Sequence, residues 1–313
     1  MLPYKKAAEL TERGTEMSWL VEGLWGEGAV GILGGEPKSC KSFLALDLAV
    51  SVASGTPCLG RYAVRRAGPV LLYAAEDSPE IVKRRLFGIT QARGVDLVGC
   101  EIEVITVEKL RLDDPKDVQS LEETIVHIAP RLLILDPFVR LHRIDENSSS
   151  EVAMVLENLR IMQRRHNLGI VVVHHAKKGG GGIRGGQALR GSSEFHAWGD
   201  SNLYMRRRHG DQLVLTAEHR AAQGIDTIPL SLHQNGDSLS LQTTTNPQGD
   251  HIPEKPTNIE RIESALLEGP MTLAVLREAC GIRTATLCAT IKTLAETGKI
   301  RKTEAGYALA VGE

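Results

Sequence analysis

The stretch AVGILGGEPKSCKS, residues 29–42, decides how the rest of the sequence is interpreted. It begins as an apolar run of strand length, passes through a glycine-containing turn, and leads into a helical pattern that starts at Lys41. Residues 35–42 match the phosphate-binding pattern G-x-x-x-x-G-K-[ST] except at Cys40, where the pattern has its second glycine. A strand, a tight loop and a helix in this order aim backbone N–H groups at phosphates. The stretch therefore predicts a nucleotide-binding loop in an α/β fold.

ATP and Mg²⁺ are the predicted cofactors of this loop. We expect Lys41 to contact the β- and γ-phosphates and Ser42 to bind Mg²⁺. At Cys40 a β-carbon crowds the backbone or requires a φ value that glycine takes freely, at a cost of about 1 kcal/mol. Whether Cys40 weakens or regulates nucleotide binding is left open by the sequence. The other predicted nucleotide contacts lie in the loop and the first helical turn: Gly35, Glu36, Pro37, Lys38, Ser39 and Phe43.

Residues 28–244 alternate between short apolar runs and helix-period segments, which is typical of βαβ units. Continuous apolar runs indicate strands covered on both faces, as in a mainly parallel sheet. After Asp200 a single-residue alternation predicts antiparallel strands that extend one edge of the sheet. The predicted strands are 29–34, 69–74, 101–107, 131–136 and 169–174. The predicted helices are 41–53, 79–92, 115–128 and 150–166.

Three predicted strands end in polar residues, at the edge where α/β folds bind their ligands. Asp136 ends the fourth strand as a Walker B carboxylate, and we expect it to bind Mg²⁺ directly or through water. Glu76 and Asp77 end the second strand, and we choose Glu76 as the base that activates water. We predict that Asp77, or Ser78 ahead of Pro79, caps the following helix. The fifth strand ends in His174 and His175, either of which is placed to sense the γ-phosphate.

Composition and charge exclude several classes of protein. The 313 residues are 42% hydrophobic and 24% charged, as in ordinary globular chains and unlike disordered ones. A net charge of -2 gives no bulk attraction to nucleic acid or membrane, so any such binding depends on local patches. Five cysteines without a C-x-x-C pair favour neither a disulfide framework nor a zinc site. With no apolar run long enough for a signal peptide or a membrane span, we expect a cytoplasmic protein without membrane contact.

The pattern changes near residue 243, which predicts a second, smaller domain. A polar, proline-containing linker is followed by three helical segments and a short hairpin, with Gly281 between the second and third helices. This is the pattern of a winged helix-turn-helix. We therefore divide the chain into an N-terminal segment, an ATPase core, a linker and a winged helix-turn-helix domain: residues 1–27, 28–242, 243–258 and 259–313.

The order of these motifs resembles a known family. The segments GILGGEPKSCKS, LLYAAED, LLILDP, VVVHHAKK and ALRGSSEFHAWGDSNLYMRR resemble, in this order, the RecA-like P-loop ATPases of the RepA type, hexameric replicative helicases of plasmids and mobile elements. The resemblance covers about residues 17–235. It implies a RecA-like core assembled as a hexameric ring, ATP bound between subunits, and DNA in the central channel. The positions that match the family's site are Lys41, Ser42, Glu76, Asp136 and, for the sensor, His174 or His175.

The resemblance also implies an arginine that reaches into the neighbouring subunit's site. Our candidate is Arg220, which ends the segment TAEHR and resembles the strand-end basic finger of related hexameric helicases. Such a finger adds positive charge to a γ-phosphate transition state across an interface. Arg206, Arg207 and Arg208 compete for this role, and a solvated strand-end arginine is the alternative.

Basic residues predict where DNA binds. The glycine-rich loop 177–190 carries four basic residues and follows the predicted sensor strand, so it is placed to contact a phosphate backbone; a flexible surface loop is the alternative. Arg140 and Arg143 form a weaker second candidate. Residues 283–302 hold five basic residues against one acidic residue, which suits duplex or forked DNA, although winged helices also bind proteins. The predicted DNA contacts are Lys177, Lys178, Arg184, Arg190, Arg283, Lys292 and Arg301.

Two functions from different classes follow from this sequence. The first is an ATP-driven motor, a homo-oligomeric ring that translocates on single-stranded DNA and unwinds duplex. The second is an ATP-gated DNA-binding regulator or loader without unwinding activity. The basic glycine-rich loop favours the motor, whereas Cys40 and the C-terminal domain favour the regulator. A small-molecule kinase is disfavoured, because no lid-like arginine segment is evident.

Overall fold

The structure is a computed structural model that describes residues 1–9, 18–175, 193–207, 212–235, 238–244, 258–267, 269–303 and 306–310. The chain divides into two compact units, Met1–Thr245 and Asn246–Glu313. Buried apolar residues form a core within each unit.

The described strands of the first unit are β1 (Trp19–Val21), β2 (Trp25–Gly26), β3 (Val30–Gly35), β4 (Val70–Ala74), β5 (Ile102–Val104), β6 (Leu132–Asp136), β7 (Gly169–His175), β8 (Ser201–Arg207), β9 (Leu213–His219), β10 (Ile225–Asn235) and β11 (Ser238–Thr243). Strands β1 and β2 form a short antiparallel pair. The other nine form one sheet in the order β11-β10-β9-β8-β3-β7-β6-β4-β5. Pairing is parallel from β8 to β5 and antiparallel from β8 to β11.

The helices of the first unit cover both faces of this sheet. Ile134 of β6 packs in the same core as Leu44 of the first helix, whereas its neighbour Leu135 packs with Leu159 of the fourth helix. Strands buried on both faces carry continuous apolar sequence, as the sequence pattern predicted. The described α-helices of this unit are α1 (Lys41–Ser54), α2 (Pro79–Ala92), α3 (Pro115–Ile128), α4 (Ser149–His166) and α5 (Glu194–Trp198).

Parallel pairing brings the ends of four strands to one edge of the sheet. Gly35 at the end of β3 lies opposite His175 at the end of β7. Ala74 at the end of β4 lies opposite Asp136 at the end of β6. This carboxyl edge is where open α/β sheets bind their ligands.

A buried ion pair holds α1 to the end of α2. Asp47 of α1 is 1% exposed, and it pairs with Arg93 at the C-terminal cap of α2 at 2.5 Å. The Asp47 carboxylate also accepts hydrogen bonds from the Leu59 backbone N–H (2.8 Å) and the Cys58 thiol (3.2 Å). A buried charge is tolerated when it is paired and hydrogen-bonded in this way. The network therefore fixes the position of α2 against the helix that follows the phosphate-binding loop.

Most predicted elements of the parallel part are confirmed, and two details are wrong. The predicted helices 79–92 and 115–128 coincide with α2 and α3. Strand β5 is only three residues long, shorter than the predicted strand 101–107. Strand β8 pairs in parallel with β3, although antiparallel strands were predicted after Asp200. Its alternating sequence does not specify direction, and its first five residues are buried because it lies beside the central strand β3.

The second unit contains helices and a hairpin: α6 (Asn258–Leu266), α7 (Leu273–Cys280), α8 (Thr284–Glu296), β12 (Ile300–Thr303) and β13 (Gly306–Leu309). Its buried core includes Ile262, Leu276 and Leu287. Gly281 caps the C-terminus of α7, and its φ of 62° allows the left-handed turn before α8. In the part of the chain that the structure describes, no helix has the length and apolar character needed to cross a membrane.

Candidate active site

The loop between β3 and α1 follows a tight path. A β-carbon at Gly35 would lie 2.4 Å from the carbonyl oxygen of Met205 on β8, so only glycine fits there. Lys38 and Cys40 both have left-handed backbone, with φ of 64° and 63°. Glycine takes this conformation freely, whereas an L-residue takes it at a cost. The sequence left two possibilities for Cys40, crowding by its β-carbon or a φ value that glycine takes freely. The structure confirms the second, because the φ of Cys40 is 63°.

The Lys41 side chain is folded back over this loop. It is 5% exposed, and its ammonium group donates hydrogen bonds to the carbonyl oxygens of Gly35 (2.9 Å) and Glu36 (2.8 Å). Burial lowers the pKa of Lys41 to about 8, although the charge of Asp136 raises it. A phosphate oxygen would replace the two carbonyl groups as a stronger, charged acceptor.

Asp136 lies at the end of β6 beside the start of α1. Burial raises the pKa of Asp136 to about 6, while the hydrogen bond with Ser42 and the charge of Lys41 lower it. Mg²⁺ prefers hard oxygen ligands and is commonly bound through one or two protein oxygens together with phosphates and water. The hydroxyl of Ser42 and the carboxylate of Asp136 fit this donor set. Among the described residues, this site included, no group of three or more His, Cys, Asp or Glu side chains could hold an ion.

These groups line one cavity of about 320 Å³ at the carboxyl edge of the parallel strands. This volume suits a small ligand. Gly35 and Glu36 contribute carbonyl oxygens to Lys41 rather than lining the cavity, and Pro37 is an exposed loop residue. The predicted site residues that line the cavity are Lys38, Ser39, Cys40, Lys41, Ser42, Phe43, Glu76, Asp136 and His175.

Sequence reasoning missed Arg85, which also lines the cavity. Its guanidinium group pairs with the carboxylate of Asp77 and lies 5.2 Å from the centre of the Phe43 ring. The prediction that Asp77 caps α2 is wrong, because the cap residue is Ser78 and the Asp77 carboxylate turns to Arg85 instead. No local pattern indicates this pair, because Asp77 precedes α2 and the contacting spacings within a helix are three and four residues.

Glu76 lines the same cavity but is far more exposed than Lys41. Its side chain is 46% exposed, and one carboxylate oxygen accepts a hydrogen bond from Nε of Arg140 at 2.8 Å. The Arg140 side chain is 62% exposed. The residue chosen as the base is therefore placed beside the phosphate site and engaged by a surface arginine.

The two histidines at the end of β7 lie on opposite sides of the strand. His175 lines the cavity. His174 is 1% exposed and stacks on Phe195 of α5, with 4.2 Å between ring centres, and it meets the edge of Phe138 at 5.9 Å. Of the two candidate sensors, only His175 is therefore positioned at the phosphate site, and His174 belongs to the aromatic packing beneath it.

Arg220 lies at the sheet edge opposite to the loop. Its backbone N–H donates to the carbonyl oxygen of Asp200 (2.9 Å), and the N–H of Asp200 donates to Val30 at the start of β3 (2.7 Å). The six residues of β3 separate this edge from Gly35 by roughly 20 Å. The Arg220 guanidinium group donates to Ala197 and lies 3.6 Å from the Asp200 carboxylate. Arg220 is therefore out of reach of the cavity in its own chain.

Two of the competing arginines, Arg206 and Arg207, lie at the other end of β8. Arg207 donates a hydrogen bond to the carbonyl oxygen of Lys38 in the loop at 3.1 Å. Arg206 precedes it on the same strand, and Arg208 lies outside the described residues. Arg207 is thus a neighbour of the loop in its own chain.

The predicted DNA contacts fall into two groups. In the second unit Arg283, Lys292 and Arg301 are exposed, and Lys292 lies 3.9 Å from Glu296 one turn further along α8. Arg283 is the cap residue of α8, and Arg301 lies on β12. The contacts predicted for the glycine-rich loop, Lys177, Lys178, Arg184 and Arg190, lie outside the described residues.

Comparisons with known proteins agree with this fold. The crystal structure of the RadB recombinase matches 70% of this chain and 92% of its own at 17% identity, with a TM-score of 0.51. A solved ATPase domain matches 68% of this chain and 84% of its own at 12% identity, with a TM-score of 0.54. A DnaB-like replicative helicase, solved with its primase interactions, matches 68% of this chain and 57% of its own at 13% identity, with a TM-score of 0.53.

Sequence comparison adds the family. Residues 2–181, more than half of the chain, match the AAA domain family. This segment contains β3, the phosphate-binding loop, strand β4 with Glu76 just after it, and the strands that end at Asp136 and His175. The chain therefore belongs to the AAA domain family, and its core has the RecA-like P-loop ATPase fold.

Proposed function

We propose that the protein is an ATP-dependent DNA motor, a ring-forming replicative helicase that hydrolyses ATP between subunits and translocates on single-stranded DNA. The observation that carries this proposal is the convergence of Lys41, Ser42, Glu76, Asp136 and His175 at one cavity. Together they supply a positive charge for phosphate, oxygen ligands for Mg²⁺, a base for water and a polar side chain for sensing. This is the set of parts that phosphoryl transfer requires.

Each of these residues has a distinct task in the proposed reaction. Lys41 exchanges the loop carbonyl oxygens for the β- and γ-phosphate oxygens. Ser42 and Asp136 would hold Mg²⁺, and the ion would supply positive charge for the phosphates. Glu76 accepts a proton from the attacking water, and His175 contacts the γ-phosphate. The chain's own residues thus bind, orient and accept the proton.

Assembly as a ring of the RepA type, a hexamer, is part of the proposal. Arg220 cannot reach the cavity of its own chain, so its proposed role as a finger requires a neighbouring subunit. The solved structures with a similar fold include a replicative helicase that is DnaB-like, which supports this assembly by analogy of fold.

The DNA contacts of the motor are assigned to two regions. The basic glycine-rich loop after β7 would contact single-stranded DNA in the channel. The second unit, which we propose to be a winged helix-turn-helix, would contact duplex or forked DNA through the exposed side chains of Arg283, Lys292 and Arg301.

Steady-state ATP hydrolysis with and without single-stranded DNA tests the proposal. We expect DNA to stimulate hydrolysis, and the protein to unwind a forked duplex with one single-stranded tail. A folded protein that neither hydrolyses ATP nor binds single-stranded DNA would contradict it.

A second function, an ATP-gated DNA-binding regulator or loader, is favoured by one observation. Cys40 has a left-handed backbone inside the loop, and this strain suits a chain that binds ATP without rapid turnover. The same unwinding assay separates the two functions: sequence-specific DNA binding without unwinding of the fork identifies the regulator.

A further inference from the structure

An arginine of β8 binds the middle of the phosphate-binding loop. Lys38 and Cys40 both have left-handed backbone, with φ of 64° and 63°, and L-residues take this conformation at a cost. Nη2 of Arg207 donates a hydrogen bond to the carbonyl oxygen of Lys38 at 3.1 Å. This carbonyl group belongs to the peptide unit between Lys38 and Ser39. The contact therefore acts on the part of the loop that carries the backbone strain.

The backbone of Arg207 is fixed by the sheet. Along β8, Met205 pairs with Gly35 of β3 and Arg207 pairs with Leu213 of β9. A β-carbon at Gly35 would lie 2.4 Å from the carbonyl oxygen of Met205, so β8 runs directly against the start of the loop. Arg207 comes two residues later, at the end of a paired strand, and its exposed side chain reaches the loop.

The hydrogen bond from Arg207 also fixes the direction of an N–H group. The peptide unit between Lys38 and Ser39 is trans, so its carbonyl group and its N–H group point in opposite directions. Because Arg207 binds the carbonyl group, the N–H of Ser39 is turned away from the arginine. Ser39 lines the cavity, and successive N–H groups in such turns form concave sites for anions. The contact thus holds this peptide unit in an orientation suited to a phosphate.

Other hydrogen bonds hold the beginning of the loop. The hydroxyl of Ser39 donates to the carbonyl oxygen of Glu36 at 2.7 Å, and Lys41 donates to the carbonyl oxygens of Gly35 and Glu36. In the proposed reaction, phosphate oxygens replace these partners of Lys41. The contact of Arg207 uses a carbonyl oxygen, which phosphates do not bind, so it can persist while nucleotide is bound.

We propose that Arg207 is a positioning residue for the phosphate-binding loop of its own chain: through the carbonyl group of Lys38 it holds the strained loop in the conformation that binds phosphate. This inference rests on the proposed function, because it assigns a further residue to the same site. It separates Arg207 from the arginine finger, which acts on a neighbouring subunit. It also connects Arg207 with Cys40, whose strain makes the loop depend on an outside contact.

The affinity for MgATP tests this role. Arg207→Ala is expected to weaken the binding of a fluorescent ATP analogue about fivefold, as for the loss of one typical hydrogen bond. The melting temperature should stay the same, because the side chain is exposed. Arg207→Lys keeps a charged donor and should retain most of the affinity, and Arg164→Ala, which removes an exposed arginine from the last turn of α4, should bind as the wild type does. Equal affinity of Arg207→Ala and the wild type would overturn the proposal.

The same substitution in a Cys40→Gly background tests the link with strain. Glycine takes the left-handed conformation freely, so the binding conformation is more fully populated and depends less on Arg207. In this background Arg207→Ala is expected to weaken binding about twofold or less, compared with about fivefold beside Cys40. An equal loss in both backgrounds would contradict the link.

Hydrolysis kinetics distinguish a support of the loop from a finger. A finger adds charge in the transition state, so its removal lowers kcat, whereas weaker nucleotide binding raises KM. For Arg207→Ala we expect KM for MgATP to rise about fivefold and kcat to stay within about twofold of the wild type. A kcat that falls about 100-fold with an unchanged KM would identify a finger and overturn the proposal.

Labelling of the Cys40 thiol provides a readout that needs no nucleotide. Cys288 is exposed, and the remaining cysteines are buried: Cys58, Cys100 and Cys280. In a Cys288→Ser background, a loop released from Arg207 should expose Cys40 more often, so Arg207→Ala is expected to react about fivefold faster with an aromatic disulfide. An unchanged labelling rate would overturn the proposal. Wild-type protein that binds no MgATP fails the proposed function, whereas the labelling rate still decides whether Arg207 holds the loop.

Discussion

Two parts of the same cavity are built in different ways. Lys41 and Asp136 are enclosed by protein, and burial moves the pKa of each toward neutrality, to about 8 and about 6. Glu76 lies on the open side, with 46% of its side chain exposed and a surface arginine as partner. The part proposed to bind phosphate is therefore fixed by packing, whereas the carboxylate proposed as the base is held only by an exposed ion pair.

A third region lies far from both of these parts. Arg220 is roughly 20 Å from the loop, at the opposite sheet edge, and is held by Asp200. If Arg220 is the finger that we propose, a single chain binds nucleotide alone but needs a neighbour to complete the transition-state charge. Binding and turnover are therefore expected to respond differently to mutation.

The largest effect is expected from Lys41→Ala. Loss of the charge that we propose to contact the β- and γ-phosphates should reduce ATP hydrolysis by at least about 10³-fold, as for other preorganised charges at a transition state. Because Lys41 is buried at an energetic cost, the melting temperature should not fall. Hydrolysis rates and thermal unfolding of the variant, beside Lys116→Ala as an exposed lysine control, check this expectation. Near-normal hydrolysis would remove Lys41 from the site.

The next largest effect on hydrolysis is expected from Arg220→Ala, at the end of the sheet opposite to the phosphate-binding loop. Arg220→Ala should lose most hydrolysis but retain MgATP binding, because Arg220 does not contact the cavity of its own chain. Mixing Arg220→Ala subunits with Lys41→Ala subunits should restore part of the activity, since some mixed interfaces then combine an intact loop with an intact finger. Activity of the mixture that equals the sum of the two inactive proteins would argue against a finger acting in trans.

The site residues that could be predicted from the sequence are those fixed by local patterns. Contacts between residues far apart in the chain could not be predicted. Lys41 and Asp136 were predictable because each stands at a fixed place in a local pattern of strand, loop and helix. Arg140 was noticed only as a basic residue, because its contact with Glu76 joins segments 64 residues apart. His174 and His175 could not be distinguished, because the strand pattern does not show which face of the sheet meets the cavity.

The fold, too, could be predicted from the sequence only where it follows from local patterns. Buried strands such as β6 were predictable from continuous apolar runs, because both faces of the sheet are covered. The direction of β8 was not, because parallel and antiparallel strands share the same alternation and the choice depends on its place beside β3. Arg85 was missed for a related reason: its contact with Phe43 depends on how α2 is set against α1, and its partner Asp77 lies before the helix begins.

A change in pH is expected to have a moderate effect on the affinity for MgATP. Mg²⁺ binding needs ionised Asp136, which is lost as the pH falls through about 6, and phosphate binding favours charged Lys41, which is lost as the pH rises through about 8. The affinity for MgATP should therefore be highest between these values and fall by up to about tenfold per pH unit outside them. Titrations of a fluorescent ATP analogue from about pH 5 to about pH 9.5 would show this window, and a flat profile would contradict the buried charges.

The smallest effect is expected at Cys40, in the part of the cavity that is fixed by packing. Cys40→Gly removes a left-handed L-residue from the loop, which should stabilise the native state by about 1 kcal/mol, partly offset by the greater freedom of glycine in the unfolded chain. The affinity for MgATP should stay equal or rise, because the backbone N–H groups of the loop keep their directions without strain. Cys40→Ala retains the β-carbon but not the thiol, so it separates the two roles of the side chain. If both variants lose affinity to the same extent, the thiol itself takes part in nucleotide binding; if only Cys40→Gly changes, the backbone conformation of the loop is what limits this site.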